Sequence, residues 1–196
     1  MAQKTQRVPK HHQLYEIAER QAGYFTASQA RTAGFTQPLL SYHTRTGQFT
    51  RVRRGIYRLT RFPEQPHADL FVAWLQTGPN SVISHESALA LYELSDILPG
   101  QVHVTVPRTA SRRRQGMRLH TNRLPKGEIT HRAGLPVTAV TRTLADVIGN
   151  GVPEEQINQA IQEALTRGLV TEQMLFDIAV RRGGQVERMV RHALHR

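Results

Sequence analysis

Four arginines, Arg51, Arg53, Arg54 and Arg58, fall within eight residues that contain one glycine and no acidic residue. Such a run repels itself until an anion neutralises it, and the anion that best uses both the charge and the forked geometry of a guanidinium is a phosphate backbone. Upstream, Gln37, Ser41 and Arg45 recur every four residues, with Tyr42 beside them. On a helix that spacing forms one stripe. Gln and Arg match adenine and guanine edges, and the Ser and Tyr hydroxyls reach phosphates. The same residues would also make a plain solvated face, and an RNA or an acidic protein would also satisfy the arginines.

Other groups carry weaker signals. Ser84-His85-Glu86 has the residue types of a nucleophile, a base and an orienting acid. Three successive residues cannot face one another, so Ser84 is read as a helix N-cap followed by exposed polar residues. His11-His12 suggests a metal, yet adjacent helical positions diverge by about 100° and no spaced partner follows, so neither metal nor cofactor is expected. Glu128 has no matched Asp and Lys126 stands alone, which leaves the converging oxygen ligands of a metal-dependent nuclease unassembled and no enzyme expected. Arg112-Arg113-Arg114 reads as a solvated turn, an extension of the anion-binding surface or a contact for an acidic partner. Arg142 and Asp146 stand four apart and are expected to pair on the outer face of a helix that Thr141 caps and that buries Leu144, Val147 and Ile148.

The elements that must position these groups follow from local signals. Leu14, Ile17, Ala18 and Ala22 repeat at helical spacing and Gly23 closes the segment. Thr26 and Gln29 form a capping box for a short second helix, Ala27 to Ala33, that stops at Gly34. Thr36 caps a third helix with Pro38 in its first turn, running through Arg45 to Gly47. Residues 49–53 and 56–59 alternate apolar with polar around Arg54-Gly55, which reads as a hairpin. Helix-turn-helix plus basic hairpin is a winged helix, in which the third helix enters the major groove and the hairpin reaches phosphates or the minor groove. Further on, helices are expected over residues 68–76, 85–94, 138–148, 153–167, 171–180 and 185–194, and strands over 101–107, 116–123 and 128–131. The fold class expected is α+β: a winged-helix domain over residues 1–62, with an ordered core from about residue 9, then a small mixed domain with a helical end over residues 63–196.

Charge supports that division. The net charge of the chain is +11, and residues 1–62 hold eleven basic residues against two acidic ones, whereas residues 133–196 balance at seven each. A field concentrated in one third of the chain points to a polyanion. With 39% hydrophobic residues and a length of 196, the chain buries a real core and is not disordered throughout. Absence of cysteine excludes disulfides, thiolate nucleophiles and Cys-rich zinc sites. No apolar run approaches the roughly 20 residues of a membrane span, and Met1 to His12 lacks the apolar segment of a signal peptide, so a cytoplasmic protein without membrane association is expected.

In order along the chain stand YFTASQARTAG, FTRVRRGIYRL, SHESALALYEL, VHVTVP, GMRLH and GLPVTAVTRTLADVI, a series covering roughly residues 10 to 170. It resembles the AbiEi-type antitoxins of bacterial type IV toxin–antitoxin, or abortive infection, systems, with their N-terminal winged helix. The resemblance implies a transcriptional autorepressor that binds double-stranded DNA at repeated half-sites in its own promoter. It also implies antagonism of a nucleotidyltransferase-type toxin without a stable complex, a role placed in the C-terminal domain, where Arg112, Arg113, Arg114 and Arg142 are the candidate antitoxin surface. Some members carry a nuclease-like module after this core; none is expected here, and no nuclease activity is carried over. The residues alone point to DNA, with an RNA- or protein-binding winged helix and a nucleic-acid enzyme remnant as alternatives. The antitoxin role comes with the resemblance only.

Overall fold

The computed structural model describes residues 8–96 and 98–195. Lys4, Arg7 and the reading of the first seven residues lie outside them. The chain is α+β and divides between Gln76 and Thr77 into two compact units.

In the first unit, α1 (His11–Glu19), α2 (Ala27–Thr32) and α3 (Gln37–Arg45) precede the hairpin of β2 (Phe49–Arg53) and β3 (Ile56–Leu59). A strand absent from the sequence reading, β1 (Tyr24–Thr26), pairs antiparallel with β3, so the sheet order is β1-β3-β2. Three residues are too few to show alternation, and tertiary pairing decides them. Gly23 makes the turn into β1 at φ +85°, and a Cβ there would lie 2.6 Å from Cγ of Phe62. Both backbone and space therefore require glycine. The capping box forms as expected: the Gln29 amide donates to Thr26 Oγ1 at 3.1 Å and the Thr26 amide to Gln29 Oε1 at 2.8 Å. Buried Gln21 reinforces it by donating to the Tyr24 carbonyl and accepting from Gln29 Nε2. Thr36 occupies the N-cap position of α3, but contrary to expectation its side chain makes no capping bond. Leu14, Ala18, Phe25, Ala30, Phe35, Leu40 and Phe49 make the core, with Phe25 against the Phe49 ring edge at 5.0 Å and stacked on Tyr57 at 5.8 Å. The helix α4 (Ala68–Thr77) buries Leu70, Phe71 and Ala73.

The second unit holds a five-stranded sheet built from β4 (Val82–Ile83), β5 (Val102–Thr105), β6 (Met117–His120), β7 (Ile129–Arg132) and β8 (Leu135–Thr138), in the order β6-β5-β4-β8-β7. Pairs β5–β6 and β4–β8 are parallel, and β4–β5 and β7–β8 antiparallel. Its helices are α5 (His85–Leu91), α6 (Val140–Gly149), α7 (Glu154–Thr166), α8 (Glu172–Arg182) and α9 (Gly184–Leu194). Strands β4 and β8 were not anticipated. All four residues of β8 are buried, so no alternation marks it, and Thr138, expected to open a helix, ends this strand instead. The helix α6 is flanked by α5, α7, α8 and α9. Its positions 140 and 142–148 are all buried as a result.

Candidate nucleic-acid interface

Helix α3 sorts its residues by face. Leu40 and His43 are buried, and Nδ1 of His43 lies 2.7 Å from Gln48 Oε1 at the start of the hairpin. Gln37, Ser41, Tyr42 and Arg45 are exposed on the opposite arc. Tyr42 is 49% exposed, with the Arg45 guanidinium 6.0 Å from its ring centre, a contact that keeps two candidate readers side by side.

In the hairpin, Gly55 turns at φ +77° and the pairing shifts between Arg51, opposite Tyr57, and Arg53, opposite Ile56. This bulge twists the strand at the arginines. Arg51, Arg53 and Arg54 are exposed, and none joins an ion pair among the described residues. Arg58 differs. It is half-buried in the central strand, donates to the Phe62 carbonyl at 2.6 Å and lies 5.9 Å from the Tyr24 ring centre, so part of its capacity holds the end of the unit. Tyr57 is buried, stacked on Phe25.

The second unit redraws several readings. Arg112 and Arg113 are exposed, while Arg114 donates to the Ala110 and Arg112 carbonyls and ties its own loop. Arg142 pairs with Asp146 at 2.8 Å as the spacing implied, but both side chains are only 2% exposed. The expected outer face is an inner one, because helices surround α6. Arg142 also donates to Glu128 Oε2 at 2.5 Å and to the Arg123 carbonyl at 3.2 Å, and Arg182 reaches Asp146 Oδ1 at 3.2 Å. Arg142 is therefore no surface residue; it joins Glu128, just before β7, to Asp146 on α6, which Arg182 of α8 also holds. Glu128, which seemed unmatched, meets Asp146 across this guanidinium. Burial would lower the Arg142 pKa, but the bonds to Asp146 and Glu128 outweigh it and raise it. For Asp146 burial dominates, lifting its carboxyl above the usual range against the pull of Arg142 and Arg182. Thr141 does not cap α6; Ala139 holds the N-cap position.

Ser84 holds the N-cap position of α5, as expected, but the polar residues after it are not exposed. Ser84 is fully buried and makes no capping bond; its Oγ accepts from Thr105 Oγ1 at 2.8 Å and lies 3.0 Å from Nδ1 of His85. His85 is buried and held at φ +52°, a backbone region costly for a residue with a side chain. Its ring stacks 3.5 Å from that of His120, and His103 lies close by. Glu86 Oε2 approaches His103 Nδ1 at 2.6 Å while Oε1 accepts from Asn150 at 2.6 Å. Burial alone would raise Glu86, but the bond from His103 brings its pKa down to about 2. Sequence distance hid this grouping, since His85, His103 and His120 belong to α5, β5 and β6.

Residues 12–60, the segment that contains the helix-turn-helix and the hairpin, match the family model described as transcriptional regulator, AbiEi antitoxin. Among solved structures, the chain is similar to the crystal structure of the RV2827C protein from Mycobacterium tuberculosis. The two share 12% identity at a TM-score of 0.58, over 97% of this chain and 78% of that one. At that identity the likeness establishes the fold. No curated protein matches the chain in sequence.

Proposed function

We propose that this chain, an AbiEi-type antitoxin transcriptional regulator by its N-terminal domain, represses its own promoter and opposes a nucleotidyltransferase-type toxin. In this reading the DNA-binding domain is residues 1–62, with the winged helix in its described part, and the antitoxin domain is residues 63–196, although the compact units divide later, between Gln76 and Thr77. The observation that carries the DNA-binding reading is an exposed stripe of Gln37, Ser41 and Arg45 beside three exposed hairpin arginines without acidic partners among the described residues. Arginines left unneutralised on a protein surface gain most from a phosphate backbone, whose counterions they release.

In this reading α3 enters the major groove. Gln37 and Arg45 read base edges, Ser41 and Tyr42 bond phosphates, and Arg51, Arg53 and Arg54 grip the flanking backbone, with Arg58 steadying the hairpin. Repeated half-sites in the promoter would be bound by paired copies. Toxin antagonism belongs to the second domain and needs no stable complex, with Arg112 and Arg113 as its exposed basic candidates. The setting is the bacterial cytoplasm; no helix among the described residues is long and apolar enough to cross a membrane.

A mobility shift of the full chain on its own upstream DNA, with excess unrelated duplex, tests the regulator. A discrete complex that survives competitor is expected. Loss of every complex to the competitor would overturn it in favour of a general polyanion surface that binds RNA or an acidic protein.

A further inference from the structure

His85, His103 and His120 each offer one ring nitrogen, and these three atoms lie within 4.8 Å of one another. The convergence is built into the sheet. In the parallel β5–β6 register Thr105 stands opposite His120, and His103 lies two residues before Thr105 on the same face. The first turn of α5 is fastened over that face: the Ser84 amide donates to the His103 carbonyl at 3.1 Å, the His103 amide donates to Ser87 Oγ at 2.9 Å, and Thr105 holds Ser84. His85, at positive φ, is thereby delivered onto His120. Three imidazoles are thus brought together by three elements whose backbones are bonded to one another.

The chemistry of such a group is narrow. His120 Nε2 and His103 Nδ1 stand 3.3 Å apart. Two nitrogens bound to one tetrahedral zinc ion at about 2.0–2.1 Å are separated by roughly 3.3 Å. Glu86 Oε2 lies 2.6 Å from this same His103 Nδ1, so an ion bound there takes the place of the proton between them and leaves Glu86 beside it as a charge-balancing carboxylate. A set of neutral nitrogens suits borderline transition ions and not the hard, oxygen-seeking Mg2+ or Ca2+.

We propose that His85, His103 and His120 form a binding site for a zinc-class divalent ion, with Glu86 as a charge-balancing carboxylate beside it and the remaining coordination open to water or an exogenous ligand. The ion ties the edge strand β6 to β5 and α5, so its binding stabilises the second unit. The site belongs to the second unit, whereas α3 and the basic hairpin belong to the first.

The test uses the untagged full chain, stripped with chelator and titrated with Zn2+ by calorimetry and with Co2+ by visible absorption. One equivalent of Zn2+, a raised melting temperature and the intense ligand-field bands of low-coordinate Co2+ are expected. His120→Gln, at a half-buried position, should lose the equivalent and the bands while keeping its far-ultraviolet dichroism, and His12→Gln should retain both. Binding that persists unchanged in His120→Gln, or a wild-type chain that takes up no equivalent and gives only the weak bands of hexaaqua Co2+, overturns the proposal. The wild-type Co2+ spectrum decides the matter even if His120→Gln fails to fold.

Discussion

Arg142→Met should destabilise the second unit without touching DNA binding. The substitution removes the bonds to Asp146 at 2.8 Å, Glu128 at 2.5 Å and the Arg123 carbonyl at 3.2 Å. Methionine fills much of the volume, but it leaves two carboxylates, 2% and 14% exposed, facing one another. Breaking a buried ion pair by removing one partner costs about 3–5 kcal/mol. Two features favour the lower end of that range. Arg182 still holds Asp146, and Nη2 of Arg142 makes no hydrogen bond among the described residues, so little is lost there. A loss of about 3 kcal/mol in a unit of this size corresponds to roughly 10–15 °C in melting temperature. Scanning calorimetry of the full chain should show the second unit's transition lowered by that amount, while the mobility shift measured below the transition stays unchanged. The triple variant Glu128→Leu, Arg142→Met, Asp146→Leu should recover most of the loss, because no buried charge is left stranded: Arg182 and Arg181, which lose their carboxylates, are 34% and 63% exposed. A change under about 1 kcal/mol in Arg142→Met, or a triple variant no better than the single, would refute the account of this cluster as a buried charge network.

Three further outcomes follow from the structure. Arg53→Ala with Arg54→Ala should weaken binding to all duplexes alike and reduce the slope of log affinity against log salt by about 1.8, whereas Arg45→Ala should relax sequence preference; unchanged slopes and preferences would contradict the docking geometry. Gly23→Ala, which puts a Cβ 2.6 Å from the Phe62 ring at φ +85°, should cost roughly 2–4 kcal/mol, read as a lower melting temperature of the first unit together with weaker operator binding. Tyr92 donates to the Thr138 carbonyl at 2.9 Å, and burial lifts its pKa to about 12 despite the nearby Arg132. Its neutral form is therefore favoured by the folded state, so stability present below pH 10 is lost as pH rises toward 12, and alkaline melting curves of Tyr92→Phe should be flatter over that window.

Much of the first unit could be read from its residues because its determinants are local. The Thr26–Gln29 capping box joins residues three apart, Gly34 closes α2, and the alternation of residues 49–53 and 56–59 is complete within the hairpin; α1 by contrast stops at Glu19, short of Gly23. The stripe of Gln37, Ser41 and Arg45 needs only the helical repeat to share a face. Arg58 marks the edge of that legibility. Its type and place in the basic run are those of its neighbours, yet the turn of the chain at Phe62 engages part of it.

The second unit was decided by contacts between distant segments. Spacing alone paired Arg142 with Asp146, but whether that pair faces water depends on α5, α7, α8 and α9 packing around α6, which no window of eleven residues contains. The two-residue β4 and the fully buried β8 carry no period of their own; sheet neighbours make them strands. His85, His103 and His120 stand eighteen and seventeen residues apart, and each alone reads as an ordinary polar residue. Parallel pairing of β5 with β6 and the fastening of α5 across them bring the three rings together. Composition and local period thus determined the winged helix, the basic hairpin and the concentration of charge. Burial of ions and convergence of side chains are properties of long-range packing, so only the tertiary structure could decide them.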